Sequence, residues 1–266
     1  MSEHPLPPWA NEIPEGAFIS YSPTYKVGEY FSRFHKERFE PAGFNYYFYD
    51  PTEHGFPKDI EYPVLLFMHG YTNALEGDIC INYAGAEFYA TDKYQKALGG
   101  AYILVPLANE YRDAEGVCQG SWDESHIPQI HDFVDYFIKA FASKNGGISK
   151  KLIFGNSRGA TICFKIVDAY TDYFNALISI GTSDISDDKN LERYDQNNIW
   201  LFFAAGKRDE FNDYQTEIAP HLPRLKQMKH CLINPMHCNL MFDDGTPMYP
   251  ELPNGILGWL KEVIDS

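Results

Sequence analysis

Two glycines bracket a serine in the run Gly155-Asn156-Ser157-Arg158-Gly159-Ala160, which follows a short apolar stretch at residues 152–154 and precedes apolar positions at Ile162, Cys163 and Ile166. This is G-x-S-x-G set between a strand and a helix. A nucleophile at the tip of so sharp a turn is crowded by the chain on both sides, so the flanking positions must be small, as Gly155 and Gly159 are. Ser157 is then lifted to the carboxyl edge of a sheet. The helix that starts there aims its unpaired N–H groups and positive dipole end at the same point, with the Arg158 N–H as one donor to a developing oxyanion. The plain alternative is a glycine-rich turn in which Ser157 serves as a helix N-cap.

With that motif in that setting, the sequence resembles the α/β-hydrolase family of serine hydrolases from about residue 40 to the carboxyl terminus. The family places an oxyanion-hole segment after an early strand, then the nucleophile, an acid and a histidine, in the order Ser, Asp/Glu, His. Within it, His69-Gly70 after Tyr62-Pro63-Val64-Leu65-Leu66-Phe67-Met68, with Pro106 and Trp122 further on, is similar to the cytosolic esterase and predicted-peptidase group that includes relatives of polyhydroxybutyrate depolymerases and feruloyl esterases. The resemblance implies an α/β-hydrolase fold with a mostly parallel central sheet, helices on both faces and a minimal lid or none.

The oxyanion hole is expected at His69-Gly70-Tyr71, where Gly70 lets the backbone approach the substrate and the Tyr71 N–H is the second donor. Gly70 or Thr72 is the alternative donor, and His69 is expected to brace the loop. The plain reading is that His-Gly merely ends a strand. For the acid, Asp209 follows the apolar run at residues 199–205 through Gly206-Lys207-Arg208, which puts it at a strand's carboxyl end, where catalytic groups of parallel α/β sheets gather. Glu210, Asp213 and Asp184 are rivals, and any one of the 37 acidic residues is by default a solvated surface charge. For the base, His237 follows the run at residues 231–234, whereas His230 precedes it and starts from the opposite edge. His237 as an ordinary loop histidine is the alternative. Chemically the three fit together: imidazole takes the proton of an otherwise inert hydroxyl, and the carboxylate holds the imidazole's tautomer and its charged form.

Other chemistries find less support. The pairs His230-Cys231 and His237-Cys238 flank one strand and match no zinc-ligand spacing. Neither GxGxxG after a strand nor a Walker A run occurs, so neither cofactor nor metal is expected.

These residues need a scaffold, and from residue 62 onward short apolar runs alternate with helical periods, the pattern of βα units around a parallel sheet. Strands are expected at residues 64–68, 102–105, 152–154, 176–180, 199–205 and 231–234, and an earlier, edge-type antiparallel strand where Phe44, Tyr46 and Phe48 alternate with their neighbours. Ile130, Phe133, Val134, Phe137, Ile138 and Phe141 form one helical stripe, terminated by Asn145-Gly146-Gly147, and Ile256, Leu257, Leu260, Val263 and Ile264 form another. Residues 1–16 are expected to form a loose arm, and no linker or repeat divides the rest, so residues 1–266 read as a single domain.

Composition bounds the function. The 266 residues are 44% hydrophobic and 22% charged, enough for a full core. A net charge of -15 opposes phosphate backbones and anionic lipid, so nucleic acid and membrane are not expected partners. No apolar run nears the ~20 residues that span a bilayer. Met1-Ser2-Glu3-His4-Pro5 carries no secretory signal pattern, and 5 scattered cysteines suit a reducing compartment, so the expected location is cytoplasmic.

The gap at residues 182–198, where the family commonly inserts a lid, is too short for a helical cap, and the excursion at residues 107–128 is the candidate cleft wall. Trp122 and Tyr71 are candidates for stacking on a substrate ring, with local packing as the alternative. Arg112 and Arg158 could meet a carboxylate, although a surface ion pair is the plainer role. The expected activity is hydrolysis of a small or medium soluble carboxylic ester, acyl or hydroxycinnamoyl in type. A serine peptidase or amidase with the same triad is the alternative, and a non-catalytic binding protein on a hydrolase scaffold the third.

Overall fold

The computed structural model describes residues 26–108, 120–206, 209, 211–225, 227–228, 230–234 and 255–266; at 206, 230–234 and 255 it describes backbone only. The apolar runs become β3 (Tyr62–Met68), β4 (Tyr102–Pro106), β5 (Ile148–Asn156), β6 (Ala176–Ile180), β7 (Trp200–Gly206) and β8 (His230–Asn234), preceded by β1 (His35–Phe39) and β2 (Phe44–Tyr49). They join in one eight-stranded sheet of order β1-β2-β4-β3-β5-β6-β7-β8. β1 to β2 and β2 to β4 are antiparallel and every other pairing is parallel.

The reason is in the side chains. All seven residues of β3 and all five of β4 and of β6 are buried, as strands sandwiched on both faces require. β1 is different: His35, Lys36, Glu37 and Arg38 are exposed and only Phe39 is buried. A charged edge strand discourages pairing with another chain. It also moves the edge outward, so that β2, expected there, lies one strand inside.

The two helical stripes are α1 (His126–Ala140) and α4 (Gly255–Asp265); between them lie α2 (Arg158–Ala169) and α3 (Asp188–Gln196). Ile130, Phe133, Val134 and Phe137 of α1 and Ile256, Trp259, Leu260 and Val263 of α4 are all buried in the core. The gap at residues 182–198, too short for a helical cap, holds only α3, which buries Leu191 and Tyr194 and so packs on the core. None of the described helices is long and apolar enough to cross a membrane. Residues 1–16 and 109–119 lie outside the described residues.

Register decides where the loops emerge. Met68 pairs with Gly155, Gly155 with Ser179, Ser179 with Phe203 and Phe203 with Cys231, so these five lie in one row across the sheet. The segments holding Gly70, Ser157 and Asp209 all follow that row within a few residues, at the carboxyl edge. Adjacent strands are ~4.8 Å apart, so β3 and β5 set the oxyanion loop beside the serine.

Candidate active site

Ser157 stands at φ 53°, ψ -122°, a conformation that L-residues rarely adopt, between β5 and α2. Its N–H donates to the Ile180 carbonyl at 2.8 Å, and its carbonyl accepts from Ala160 (2.9 Å) and Thr161 (3.2 Å), the opening of the helix. The hydroxyl makes no capping bond. An N-cap serine has extended backbone and spends its hydroxyl on the helix; Ser157 does neither. The cost of holding such a residue, ~1–3 kcal/mol, is characteristic of functional sites.

The flanking glycines are demanded by contact. A Cβ on Gly155 would meet the Gly159 carbonyl oxygen at 2.4 Å, and one on Gly159 would meet the Met68 carbonyl oxygen at 2.1 Å. Gly159 therefore presses α2 directly against the end of β3, which brings the elbow and the His69-Gly70-Tyr71 loop together.

In that loop Thr72 is left-handed at φ 63°, ψ -5°, unusual for a β-branched residue. Tyr71 stands two residues after a fully buried His69, and its side chain is 56% exposed. The His69 ring braces the loop from within. Its Nε2 accepts the Ala108 N–H at 3.0 Å, which assigns the proton to Nδ1, and Nδ1–H donates to the Gly70 carbonyl at 2.7 Å. The Arg158 N–H, at the first helical position, has no acceptor within α2, and the Tyr71 N–H has no backbone acceptor among the described residues.

Burial pushes the His69 imidazole down to about 4, helped by repulsion from His126 and opposed by the bond to Gly70. An unfolded histidine titrates near 6.5. Between those values the unfolded chain holds the proton more tightly, so this contribution to stability is intact above pH 6.5 and is lost as pH falls toward about 4. The full loss is about 3 kcal/mol. Urea melts at pH 7.5 and 4.5 should therefore show a smaller pH penalty in His69→Gln than in the native chain. Equal penalties would contradict this assignment.

Asp209 is 6% exposed. Its Oδ1 accepts the N–H groups of Phe211 (2.8 Å) and Asn212 (3.2 Å), and Oδ2 accepts Asn212 Nδ2 at 2.9 Å. Asn212 Oδ1 in turn accepts the Ser183 hydroxyl at 3.0 Å, tying the loop after β7 to the loop after β6. Two of the rivals, Asp184 and Asp213, are occupied otherwise. Asp184 is exposed and accepts from the Thr161 hydroxyl at 3.2 Å. Asp213 caps the helical turn at Tyr214–Ile218 through Gln215 N–H (2.9 Å) and Thr216 N–H (3.1 Å). His237, Glu210, Arg112, Cys118 and Cys238 lie outside the described residues, and β8 is described as far as Asn234.

Trp122 lies elsewhere than the substrate surface expected of it. It is 1% exposed, its ring lies against His69 with centroids 4.7 Å apart, and its Nε1–H donates to the His69 carbonyl at 2.9 Å. Local packing describes its surroundings. The Arg158 guanidinium is likewise engaged, Nε donating to the Trp122 carbonyl at 3.0 Å. The Asn212 support was missed at the sequence level, although an Asp followed by Asn three residues on is a spacing at which a side chain can turn back on the backbone.

Comparisons with known proteins bear on the fold. The sequence matches no family model and no curated protein. Among solved structures, a thermostable esterase superposes with TM-score 0.59 at 16% identity over 89% of this chain, which spans 62% of that protein's length. An esterase of Pyrococcus furiosus gives 0.53 at 14% identity, covering 92% of this chain and 98% of that one. A ferulic acid esterase gives 0.51 at 15% identity, covering 87% and 97%. The chain has the α/β-hydrolase fold.

Proposed function

We propose that the protein is a serine carboxylesterase that cleaves small or medium soluble esters through an acyl-enzyme. The observation that carries this reading is the strained Ser157 at the carboxyl edge of β5, with Asp209 buried and hydrogen-bonded at the same edge and the start of the His69-Gly70-Tyr71 loop packed against Gly159 of the elbow.

Ser157 Oγ attacks the ester carbonyl while His237 takes the hydroxyl proton. The carbonyl oxygen becomes an oxyanion held by the two N–H groups, with Gly70 leaving room for the substrate's approach. Collapse breaks the bond to the alkoxide, which leaves with the proton from His237. Water, deprotonated by His237, then attacks the acyl-enzyme, and Ser157 leaves with its proton restored. Asp209 orients the imidazole throughout. The acyl preference is read from partly exposed aromatic side chains at this edge: Tyr71 and, two residues past Asp209, Phe211, both 56% exposed. Such rings favour a medium apolar or hydroxycinnamoyl group over acetate. Cys163, a buried free thiol, is compatible with a cytoplasmic setting.

Hydrolysis of p-nitrophenyl acetate, a feruloyl ester and an aminoacyl anilide tests the class. Ester turnover should exceed anilide turnover; the reverse order would favour the peptidase reading, and inertness toward all three a binding scaffold. Asp209→Asn should lower kcat by ~10⁴-fold while the protein stays folded, since an amide holds the wrong tautomer. A loss under tenfold would move the acid elsewhere, with Asp184→Asn as the next variant.

A further inference from the structure

The two oxyanion donors come from separate parts of the chain, and pairing between β3 and β5 ends at Met68 and Gly155, before either donor is reached. Beyond that row the donors must be aimed by something else, because an N–H contributes only when it points to within ~3 Å of the oxyanion.

We propose that Trp122 is a positioning residue for the oxyanion hole, fixing both donor-bearing segments from one buried site. This rests on the esterase reading above. The indole Nε1–H holds the His69 carbonyl at 2.9 Å on one side, and the Trp122 carbonyl holds the Arg158 guanidinium at 3.0 Å on the other. The first contact continues through His69. Its Nδ1–H holds the Gly70 carbonyl at 2.7 Å.

A peptide unit is planar and trans, so its C=O and N–H point in opposite directions. Holding the Gly70 carbonyl inward turns the Tyr71 N–H outward, away from His69; holding the His69 carbonyl does the same for the Gly70 N–H. Two successive peptide planes are thus set by two buried side chains. The loop's other backbone bonds, from the Asn73 N–H to the Gly70 carbonyl at 3.4 Å and from the Leu75 N–H to the Thr72 carbonyl at 3.0 Å, do not replace them: the first is long, Gly70 has no side chain, and Thr72 is in a left-handed conformation that relaxation would leave.

Trp122 itself cannot shift. It is 1% exposed, with the His69 ring on one side and the His126 ring edge-on at 5.2 Å and 86°. The second contact, from the side chain of the residue that follows the nucleophile, ties the start of α2 to the same indole-bearing residue. Any displacement of the loop relative to the elbow must break one of these bonds.

The test is Trp122→Phe, which keeps an aromatic ring and removes the indole N–H. Active sites are counted by stoichiometric reaction with a fluorophosphonate, so that kcat is expressed per competent site. On p-nitrophenyl acetate we expect kcat per site to fall ~10–100-fold with KM within ~3-fold. The Ki of a trifluoromethyl ketone, whose adduct carries the oxyanion, should rise in parallel.

A purely structural role would instead lower the number of titrated sites and leave kcat per site and Ki unchanged, and that result overturns the proposal. Should Trp122→Phe not fold, Arg158→Met removes the second contact at a partly buried position, leaving the backbone N–H in place, and the same fall in kcat with a parallel rise in Ki is expected. Failure of the esterase reading is distinguishable, because the native chain would then be inert toward p-nitrophenyl acetate, or would turn over the anilide faster than the ester, before any variant is made.

Discussion

Ser157→Ala should keep the native fold and melting temperature and lose at least ~10⁴-fold in ester turnover, because the remaining machinery can bind and polarise the carbonyl but has no nucleophile to acylate. Its companion, Ser157→Gly, should be equally inactive and more stable than Ser157→Ala by about 1 kcal/mol. The reason is the φ of 53° and ψ of -122°, which alanine endures as serine does and glycine adopts freely. Against this gain stands the greater chain entropy glycine loses on folding, ~0.5–1 kcal/mol, which the ~1–3 kcal/mol of relieved strain exceeds. Measuring both variants by urea denaturation separates chemistry from strain. A glycine variant less stable than the alanine one would remove the claim that the elbow is strained.

The second large effect is on stability. Gly159→Ala places a methyl group 2.1 Å from the Met68 carbonyl oxygen and 2.6 Å from that of His69. Both obstacles are backbone at the end of a buried strand, so no side chain can swing aside. Alanine is the better helix former by ~1 kcal/mol, yet overpacking against fixed backbone costs ~3 kcal/mol or more, and the steric term wins. A fall in melting temperature of roughly 5–10 °C is expected. Activity should fall further than stability alone explains, because relief requires α2 to move away from β3, which separates Ser157 from the Tyr71 N–H. Unchanged melting with unchanged turnover would mean the elbow does not press on β3 as described.

Legibility from the sequence followed burial. β6 was expected at its observed bounds because every one of its residues is apolar or small and buried. β5 was read as only its last buried core, since Ser149, Lys150 and Lys151 extend the strand beyond the covered part of the sheet and carry no apolar signal. β1 was invisible for the same reason: four consecutive polar or charged residues on an exposed edge look like loop. Residues 73–98 give no long stripe because the chain there breaks into short turns, with Gly77 at φ 64° inside one of them.

At the site, residue types and their order along the chain singled out Ser157, Asp209 and the His69-Gly70-Tyr71 loop, since each depends on a local turn at the end of an apolar run. What could not be read was the support. That Trp122 faces inward to His69, and that Asn212 links Asp209 to Ser183, depend on contacts across 53 and 29 residues of sequence. An aromatic residue in a loop carries no mark to say which side it turns.

The most direct measurement is reaction of the purified protein with a fluorophosphonate, followed by intact mass and peptide mapping, with p-nitrophenyl ester hydrolysis followed in the same sample. One adduct per chain is expected, on the peptide containing Ser157, with turnover lost in proportion to labelling and no adduct on Ser157→Ala. Turnover that survives complete labelling of Ser157, or an adduct formed on a different residue, would contradict Ser157 as the nucleophile.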